Sequence, residues 1–211
     1  MRCKGSSIRL IPAALVVAFA AAAAAQPASA QTPVAQALYP GRYPWTAADA
    51  QFVTGMISHH AQAIVMAGWA PTHGAGKSVA TLCERIINAQ TDEIVLMQSW
   101  LKDRNQPVPE AKPLPMKMMM DGQEHEMMMP GMLSDTQMKQ LDEAKGTAFD
   151  RLFLTFMIQH HRGAITMVEQ LLASPGSAQD DFVFKFQGDV YADQGTEIER
   201  MQKMLLTLMG K

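Results

Sequence analysis

The chain has 211 residues, of which 18 are methionine and only 2 are cysteine, and its formal net charge is −2. A nearly neutral chain does not suit a nucleic-acid-binding protein, which needs an excess of lysine and arginine against phosphates. Two cysteines exclude a disulfide scaffold and a four-cysteine zinc site. With 48% hydrophobic residues, the chain can bury the core of one domain or two small ones.

Residues 1–30 have the pattern of a signal peptide. Three basic residues precede a short alanine-rich apolar stretch, and Ala28-Ser29-Ala30 follows as a cleavage pattern. The alternative is a membrane anchor, but the apolar stretch is short for a bilayer. We therefore expect cleavage after Ala30, export to a bacterial periplasm, and a mature chain that does not insert into the membrane. That chain would have 15 Lys and Arg against 20 Asp and Glu, a formal charge of −5.

The rest of the chain predicts an extended arm and four helices, with no convincing strand. Thr46 and Ser134 are good N-caps for the first and third helices, and Pro and Gly clusters mark the breaks. The region between the second and third helices has five prolines and eight methionines without a helical period, so we predict a loop. The predicted elements are the arm 31–45, helices over 46–69 and 77–103, the Met-rich loop 105–133, and helices over 134–173 and 178–209.

Two blocks of sequence occur twice. The pairs are Phe52–Met66 with Phe153–Met167 at an offset of 101, and Gln90–Gln98 with Gln194–Gln202 at an offset of 104. The chain therefore consists of two helix hairpins of one design, 46–104 and 134–209, within one domain over 46–211. Two such hairpins most simply form a four-helix bundle, which makes the predicted fold all-α.

Several polar residues of the repeat fall on the apolar faces of the predicted helices. They are His59, His60, His160 and His161 on the first and third helices, and Gln90, Glu93, Gln194 and Glu197 on the second and fourth. A carboxylate on an apolar face costs several kcal/mol unless it is paired. We therefore predict His–Glu pairs, in which the carboxylate accepts one ring N–H and leaves the other ring nitrogen free as a ligand.

The same faces carry methionines, which predicts two soft-metal sites. Met56 and His60 lie one helical turn apart, and a thioether with an imidazole suits Cu(I) or Ag(I) better than Mg²⁺, Ca²⁺ or Mn²⁺. The proposed ligands are Met56, His59, His60 and Met97 in the first half, and Met157, His160, His161 and Met201 in the second. In the alternative interpretation the histidines only hold the bundle in register. No Glu-x-x-His occurs, which argues against a di-iron oxidase.

The Met-rich loop is a further candidate. Eight of the 17 residues in 116–132 are methionine. Thioethers in an exported segment fit the capture of Cu(I) or Ag(I), because methionine forms no disulfides there. The alternative is a methionine-lined surface that binds a partner protein. The candidate ligands in the loop are Met116, Met118, Met119, Met120, His125, Met127, Met128, Met129 and Met132.

Two residues outside these sets also have reactive side chains. Cys83 is the one cysteine left after cleavage, and we expect a buried small hydrophobe; a further soft ligand and an intermolecular disulfide are the alternatives. His73 lies in a Gly-rich turn and is expected to be solvent-exposed.

The repeated blocks resemble the bacterial domain of unknown function 305 (DUF305) family. The residues that carry the resemblance are Met56-Ile57-x-His59-His60, with Gln90-x2-Glu93-Ile94-x2-Met97, and their second-half counterparts. The match covers about 46–209; Trp100, which the second half replaces with Met204, is a departure. The family comprises exported, ferritin-like four-helical proteins, among them CopM-like periplasmic copper-binding proteins.

The resemblance implies a role in copper homeostasis or resistance. We expect a non-enzymatic protein that sequesters or carries Cu(I) or Ag(I), with metal ions and other copper-handling proteins as partners. The alternatives are a structural or adaptor bundle whose loop binds a partner protein, and an oxidase of Cu(I) or Fe(II).

Overall fold

A computed structural model describes residues 44–120 and 123–210, with only the backbone described over 116–127. The predicted signal peptide at 1–30 and the arm up to residue 43 lie outside these residues. The elements are α1 (Ala47–Gly68), α2 (Lys77–Asp103), β1 (Met116–Met120), β2 (Gln123–Met127), α3 (Asp135–Glu143), α4 (Thr147–Leu172) and α5 (Asp181–Met209). None of the described helices is both long enough and apolar enough to cross a membrane.

The long helices form two hairpins, α1 with α2 and α4 with α5, and the hairpins pack against each other through α1 and α4. The prediction of an all-α fold is confirmed. The Met-rich loop, predicted without strands, contains one short antiparallel hairpin in which β1 pairs with β2.

Local sequence explains where α1 and α3 begin. The Thr46 hydroxyl accepts the Asp49 N–H at 3.2 Å, and the Asp49 carboxylate accepts the Thr46 N–H at 2.7 Å. Ser134 and Gln137 form the same reciprocal cap at α3. Each cap satisfies two N–H groups that have no partner inside the helix, and both N-caps agree with the sequence prediction.

The single third helix predicted over 134–173 is wrong. The structure divides it into α3 and α4 at Ala144, which is extended, and Gly146, which has φ +55°. The Gly146 N–H donates to the His73 carbonyl oxygen at 2.7 Å, so the turn between α1 and α2 occupies the break. Glycine tolerates this positive φ, which a helix cannot contain.

The fourth long helix also begins later than predicted, at Asp181. Ala178 has φ +53°, which places it outside a right-handed helix. Asp180 is the N-cap and accepts the N–H groups of Phe182 and Val183. The carboxylate of an N-cap satisfies the first free donors of the helix, so α5 begins one residue later.

Two aspartates tie the hairpins together. Asp49, at the start of α1, accepts the Ala178 N–H at 2.7 Å, in the turn between α4 and α5. Asp150, at the start of α4, accepts the Gly76 N–H at 3.1 Å, in the turn between α1 and α2. The two residues are 101 positions apart, so the repeat extends beyond the blocks identified from sequence. Each helix start thus secures the turn of the other hairpin.

The core is divided into two apolar clusters. The first contains the N-terminal halves of α1 and α5 and the C-terminal halves of α2 and α4; Phe52, Trp100 and Phe186 are members. The second contains the opposite halves, with Leu82 and Phe153 among its members. Between the two clusters, the middle of each long helix contributes buried polar side chains.

Candidate functional site

A polar layer, which we call the histidine layer, separates the two apolar clusters. All four of its histidines are fully buried, as the sequence pattern predicts, and the two glutamines are 4% exposed. The two glutamates are 24% and 19% exposed. The layer consists of His59, His60, Gln90, Glu93, His160, His161, Gln194 and Glu197. Each hairpin contributes the same four side chains, so the layer has an approximate twofold symmetry.

The predicted His–Glu pairs are present in both hairpins. His60 Nε2 lies 2.7 Å from a carboxylate oxygen of Glu93, and His161 Nε2 lies 2.7 Å from the equivalent oxygen of Glu197. A carboxylate can only accept, so Nε2 carries the hydrogen in each ring. In the neutral imidazole the lone pair is then on Nδ1, which is the nitrogen available to a cation.

His59 and His160 meet where the two hairpins pack. Their ring centroids are 3.8 Å apart, with 37° between the planes. Burial, reinforced by the neighbouring His60 ring, lowers the pKa of His59 to about 3. Burial and the nearby His59 ring likewise hold the pKa of His160 well below its ordinary value. Both rings are therefore neutral near pH 7 and do not hold a proton against a cation.

The layer contains most of the unpartnered polar atoms of the described core. Of eight buried side-chain nitrogen and oxygen atoms without a hydrogen-bond partner among the described residues, seven belong to the layer. They are Nδ1 of His59, His60, His160 and His161, Nε2 of His160, and Oε1 of Gln90 and Gln194. Each such atom costs about 1–3 kcal/mol when left unsatisfied. Nearly all present lone pairs, so the layer is complementary to an electron-poor species such as a cation.

The predicted methionine ligands border the layer on opposite sides. Met56 and Met97 belong to the first apolar cluster, and Met157 and Met201 to the second. All four are fully buried. Within the described residues no group of three or more His, Cys, Asp or Glu side chains is placed to hold a metal ion.

The structure divides the loop candidates between two segments. Met116, Met118, Met119 and Met120 lie in β1 and His125 and Met127 in β2, with Met118 opposite His125 and Met116 opposite Met127 in the backbone register. Their side chains lie outside the described part. Met128 is 45% exposed, whereas Met129 and Met132 are buried in the first apolar cluster.

The segment that follows the β-hairpin contacts the layer, which the sequence reasoning missed. His59 Nε2 lies 3.0 Å from the Pro130 carbonyl oxygen. Gln62 exchanges two hydrogen bonds with the Leu133 backbone, at 2.6 and 3.0 Å. One signal was available in the sequence, because the repeat aligns Gln62 with Gly163 and so pairs a long side chain with none.

Two further residues were assessed from sequence. His73 is buried rather than exposed as predicted, because its Nε2 donates to the Asp142 carbonyl oxygen at 2.8 Å and its ring stacks on Trp69. Cys83 is 1% exposed, in agreement with a small buried hydrophobe, and burial followed by the charge of Asp150 raises the pKa of its thiol to about 12.

A cavity of about 450 Å³ lies beside the segment that follows the β-hairpin. Its apolar lining includes Phe52, Met128, Met129, Pro130 and Met167. The cavity is therefore bounded by the C-terminal end of the Met-rich loop on one side and by α1 and α4 on the other.

Comparison with solved structures gives relatives of the same architecture. A DUF305 protein of Streptomyces coelicolor, described as a candidate secreted protein, is 27% identical over 76% of this chain and 93% of its own, with a TM-score of 0.64. A DUF305 fragment from Deinococcus radiodurans is 27% identical over 77% and 97%, with a TM-score of 0.63. No curated protein matches the chain.

CopM in its Cu(I)-bound form is 26% identical over 78% of this chain and 98% of its own, with a TM-score of 0.58. CopM also matches in Cu(II)-bound, Ag-bound and apo forms. The family model described as Domain of unknown function (DUF305) matches residues 49–205, and on that match, which confirms the resemblance noted in the sequence, the chain belongs to the DUF305 family.

Proposed function

We propose that this protein binds Cu(I) or Ag(I) in the histidine layer and sequesters or carries the ion. The observation that carries the proposal is the set of seven unpartnered buried atoms in that layer. Buried polar atoms in folded chains are normally partnered by protein, water or an ion, and a cation would satisfy the lone pairs that this layer gathers at one level of the core.

The donor set favours a soft ion. Neutral imidazole nitrogens and thioether sulfurs suit Cu(I), whereas the sparse carboxylates do not suit Mg²⁺, Ca²⁺ or Mn²⁺. Glu93 and Glu197 accept histidine N–H groups, so their role is to orient the rings. The likeness to CopM, which was solved with Cu(I) and with silver bound, supports the same choice.

The Met-rich loop would supply a second, more accessible binding element. Met128 is exposed beside the cavity, and the β-hairpin brings six further candidate ligands close along the chain. We propose that the loop captures the ion before it reaches the layer. We also propose export to the periplasm, transfer to or from other copper-handling proteins, and no enzymatic activity.

Titration of Cu(I) against a chromophoric chelator tests the proposal on the purified mature protein. The wild type should compete with the chelator, and His60→Ala and His161→Ala should each reduce the copper retained. His73→Ala is the matched control, because His73 is a buried histidine outside the layer. For the thioethers, Met56→Leu should weaken binding, while Met66→Leu, an equally buried methionine not proposed as a ligand, should not.

An adaptor bundle that binds no metal should have the same unfolding midpoint with and without copper. The proposed function predicts a shift. Cu(I) that binds only the folded state should raise its stability by about 2.7 kcal/mol at 100 times the dissociation constant. An unchanged unfolding midpoint in copper, together with no competition for Cu(I), would overturn the proposed function.

A further inference from the structure

Residues 128–133, which we call the strap, cross the junction of α1 and α4 on the edge of the histidine layer. Three side chains hold the strap: His59 through Pro130, Gln62 through Leu133, and Gln159 through the Gly131 carbonyl oxygen at 3.3 Å. Its own apolar side chains Met129, Met132 and Leu133 are 6%, 7% and 1% exposed. The strap is therefore docked along its length.

The strap fits only because a glycine of the strap meets a glycine of α4. A Cβ on Gly163 of α4 would overlap the Pro130 carbonyl group. Gly131 has φ +77°, and a Cβ there would lie 2.6 Å from the backbone oxygen of Gln159. Gly163 thus forms a notch in α4 that admits the backbone of the strap, and no larger residue leaves room for it.

Docking of the strap makes the two central histidines different. The Pro130 carbonyl oxygen can only accept, so it fixes His59 with the hydrogen on Nε2 and the lone pair on Nδ1. Neither ring nitrogen of His160, the equivalent residue, meets hydrogen-bond geometry among the described residues, and its contact with the His59 backbone comes from within the layer. The strap therefore fixes the tautomer of one ring and not of the other.

The strap also lies between the layer and the open cavity. Pro130 and Met129 line the cavity of about 450 Å³, and the same Pro130 contacts His59. Met128 and Met129 follow the β-hairpin directly, so the chain runs from the candidate capture segment over the cavity to the layer. Movement of the strap would connect the two.

We propose that the strap is a gate, with Gly163 and Gln62 as positioning residues, that orients His59 and sets the rate at which a soft monovalent cation exchanges with the histidine layer. This inference rests on the proposed function. The docked strap covers the His59 side of the layer, and a released strap opens it toward the methionines that line the cavity.

Gly163→Ala in the purified mature protein tests the gate, with Gly195→Ala as the matched control, because a Cβ on Gly195 of α5 contacts nothing within 4 Å. Histidine side-chain ¹⁵N NMR of the apo protein should show His59 fixed with Nε2 protonated in the wild type and control, and averaged in Gly163→Ala. Extraction of bound Ag(I) by excess chelator should be about tenfold faster in Gly163→Ala and unchanged in the control.

Gln62→Ala is the second variant, because it releases the Leu133 end of the strap without adding an atom. It should accelerate extraction in the same direction, and it serves if Gly163→Ala fails to fold. A His59 tautomer that stays fixed in both variants would overturn the docking, and wild-type extraction rates with an averaged tautomer would overturn the gate alone. A wild type that retains no Ag(I) would overturn the proposed function and the gate together.

Discussion

The two hairpins contribute the same four side chains to the histidine layer but differ in what reaches that layer from outside. His60 and His161 have equivalent glutamate partners at the same distance of 2.7 Å. His59 contacts the strap, whereas among the described residues His160 contacts its neighbours in the core. The repeated helices therefore supply the same donor side chains to both halves of the layer. The linker between the hairpins makes the two halves of the layer unequal. Asymmetry can thus be added to a duplicated bundle without altering the shared residues.

The largest effect is expected from the cross-ties. Asp49→Ala should lower the free energy of unfolding by about 3 kcal/mol, because it removes the carboxylate half of the α1 cap and leaves the buried Ala178 N–H unpaired. Asp150→Ala should cost less, about 1.5 kcal/mol, since the Asp150 carboxylate accepts only from Gly76 among the described residues and burial already raises its pKa. Urea unfolding measures both. Equal losses would show that the two ties are equivalent.

A second asymmetry concerns Trp100, which the other hairpin replaces with Met204. The Trp100 Nε1–H donates to Asp180 at 2.8 Å, and the Arg104 guanidinium lies 4.2 Å from the Trp100 ring and binds the same carboxylate. Trp100→Phe should therefore cost about 2.5 kcal/mol, since it removes a hydrogen bond to a charged acceptor. Met204→Leu, the matched change, should stay within about 0.5 kcal/mol. A comparable loss in both variants would contradict this account.

The histidines His59 and His160 should contribute equally to the pH dependence of the apo protein. Both are neutral in the folded state down to low pH, whereas in the unfolded chain they protonate below about 6.5. The unfolded state then binds more protons, so stability falls as the pH falls through about 6.5 toward the lowered pKa values of the folded state. His59→Gln and His160→Gln should each remove about half of that slope in urea unfolding.

Mildly alkaline pH provides the control for this prediction. Above about pH 8 neither histidine binds a proton in either state, so the slope of stability against pH should be the same in wild type and variants. A slope that survives in the double variant would assign the pH dependence to other groups.

Helical periodicity and the repeat predicted the features that depend on residues close together in the sequence. The burial of the four histidines, the His–Glu pairs and the ends of α2 at Lys77 and Asp103 all follow from residues within one helix or one repeat unit. The prediction failed where distant backbone decides the conformation. Gly146, in the break between α3 and α4, donates its N–H to the distant His73 carbonyl oxygen, and no local pattern signals that contact.

The contact between the strap and His59 could not be predicted from the sequence for the same reason. Pro130 contacts His59, 71 positions away, through a carbonyl group that every residue possesses. No side-chain type marks such a contact in advance. The mismatch of Gln62 with Gly163 is the sequence feature that could have pointed to it, since a glycine in the middle of a helix costs about 1 kcal/mol and so indicates close packing.

The smallest effect is expected where the halves are most alike. Glu93→Gln and Glu197→Gln keep the shape of the acceptor but remove the charge that holds Nε2–H of His60 and His161. Each should weaken Cu(I) binding by about tenfold, or 1.4 kcal/mol, because the ring loses its fixed tautomer and some basicity. Chelator competition measures the affinities, and Glu84→Gln, on an exposed face of α2, is the control. If the layer acts as two equivalent His–Glu pairs, both variants lose the same factor; a loss confined to Glu93→Gln would show that the strap side alone binds the ion.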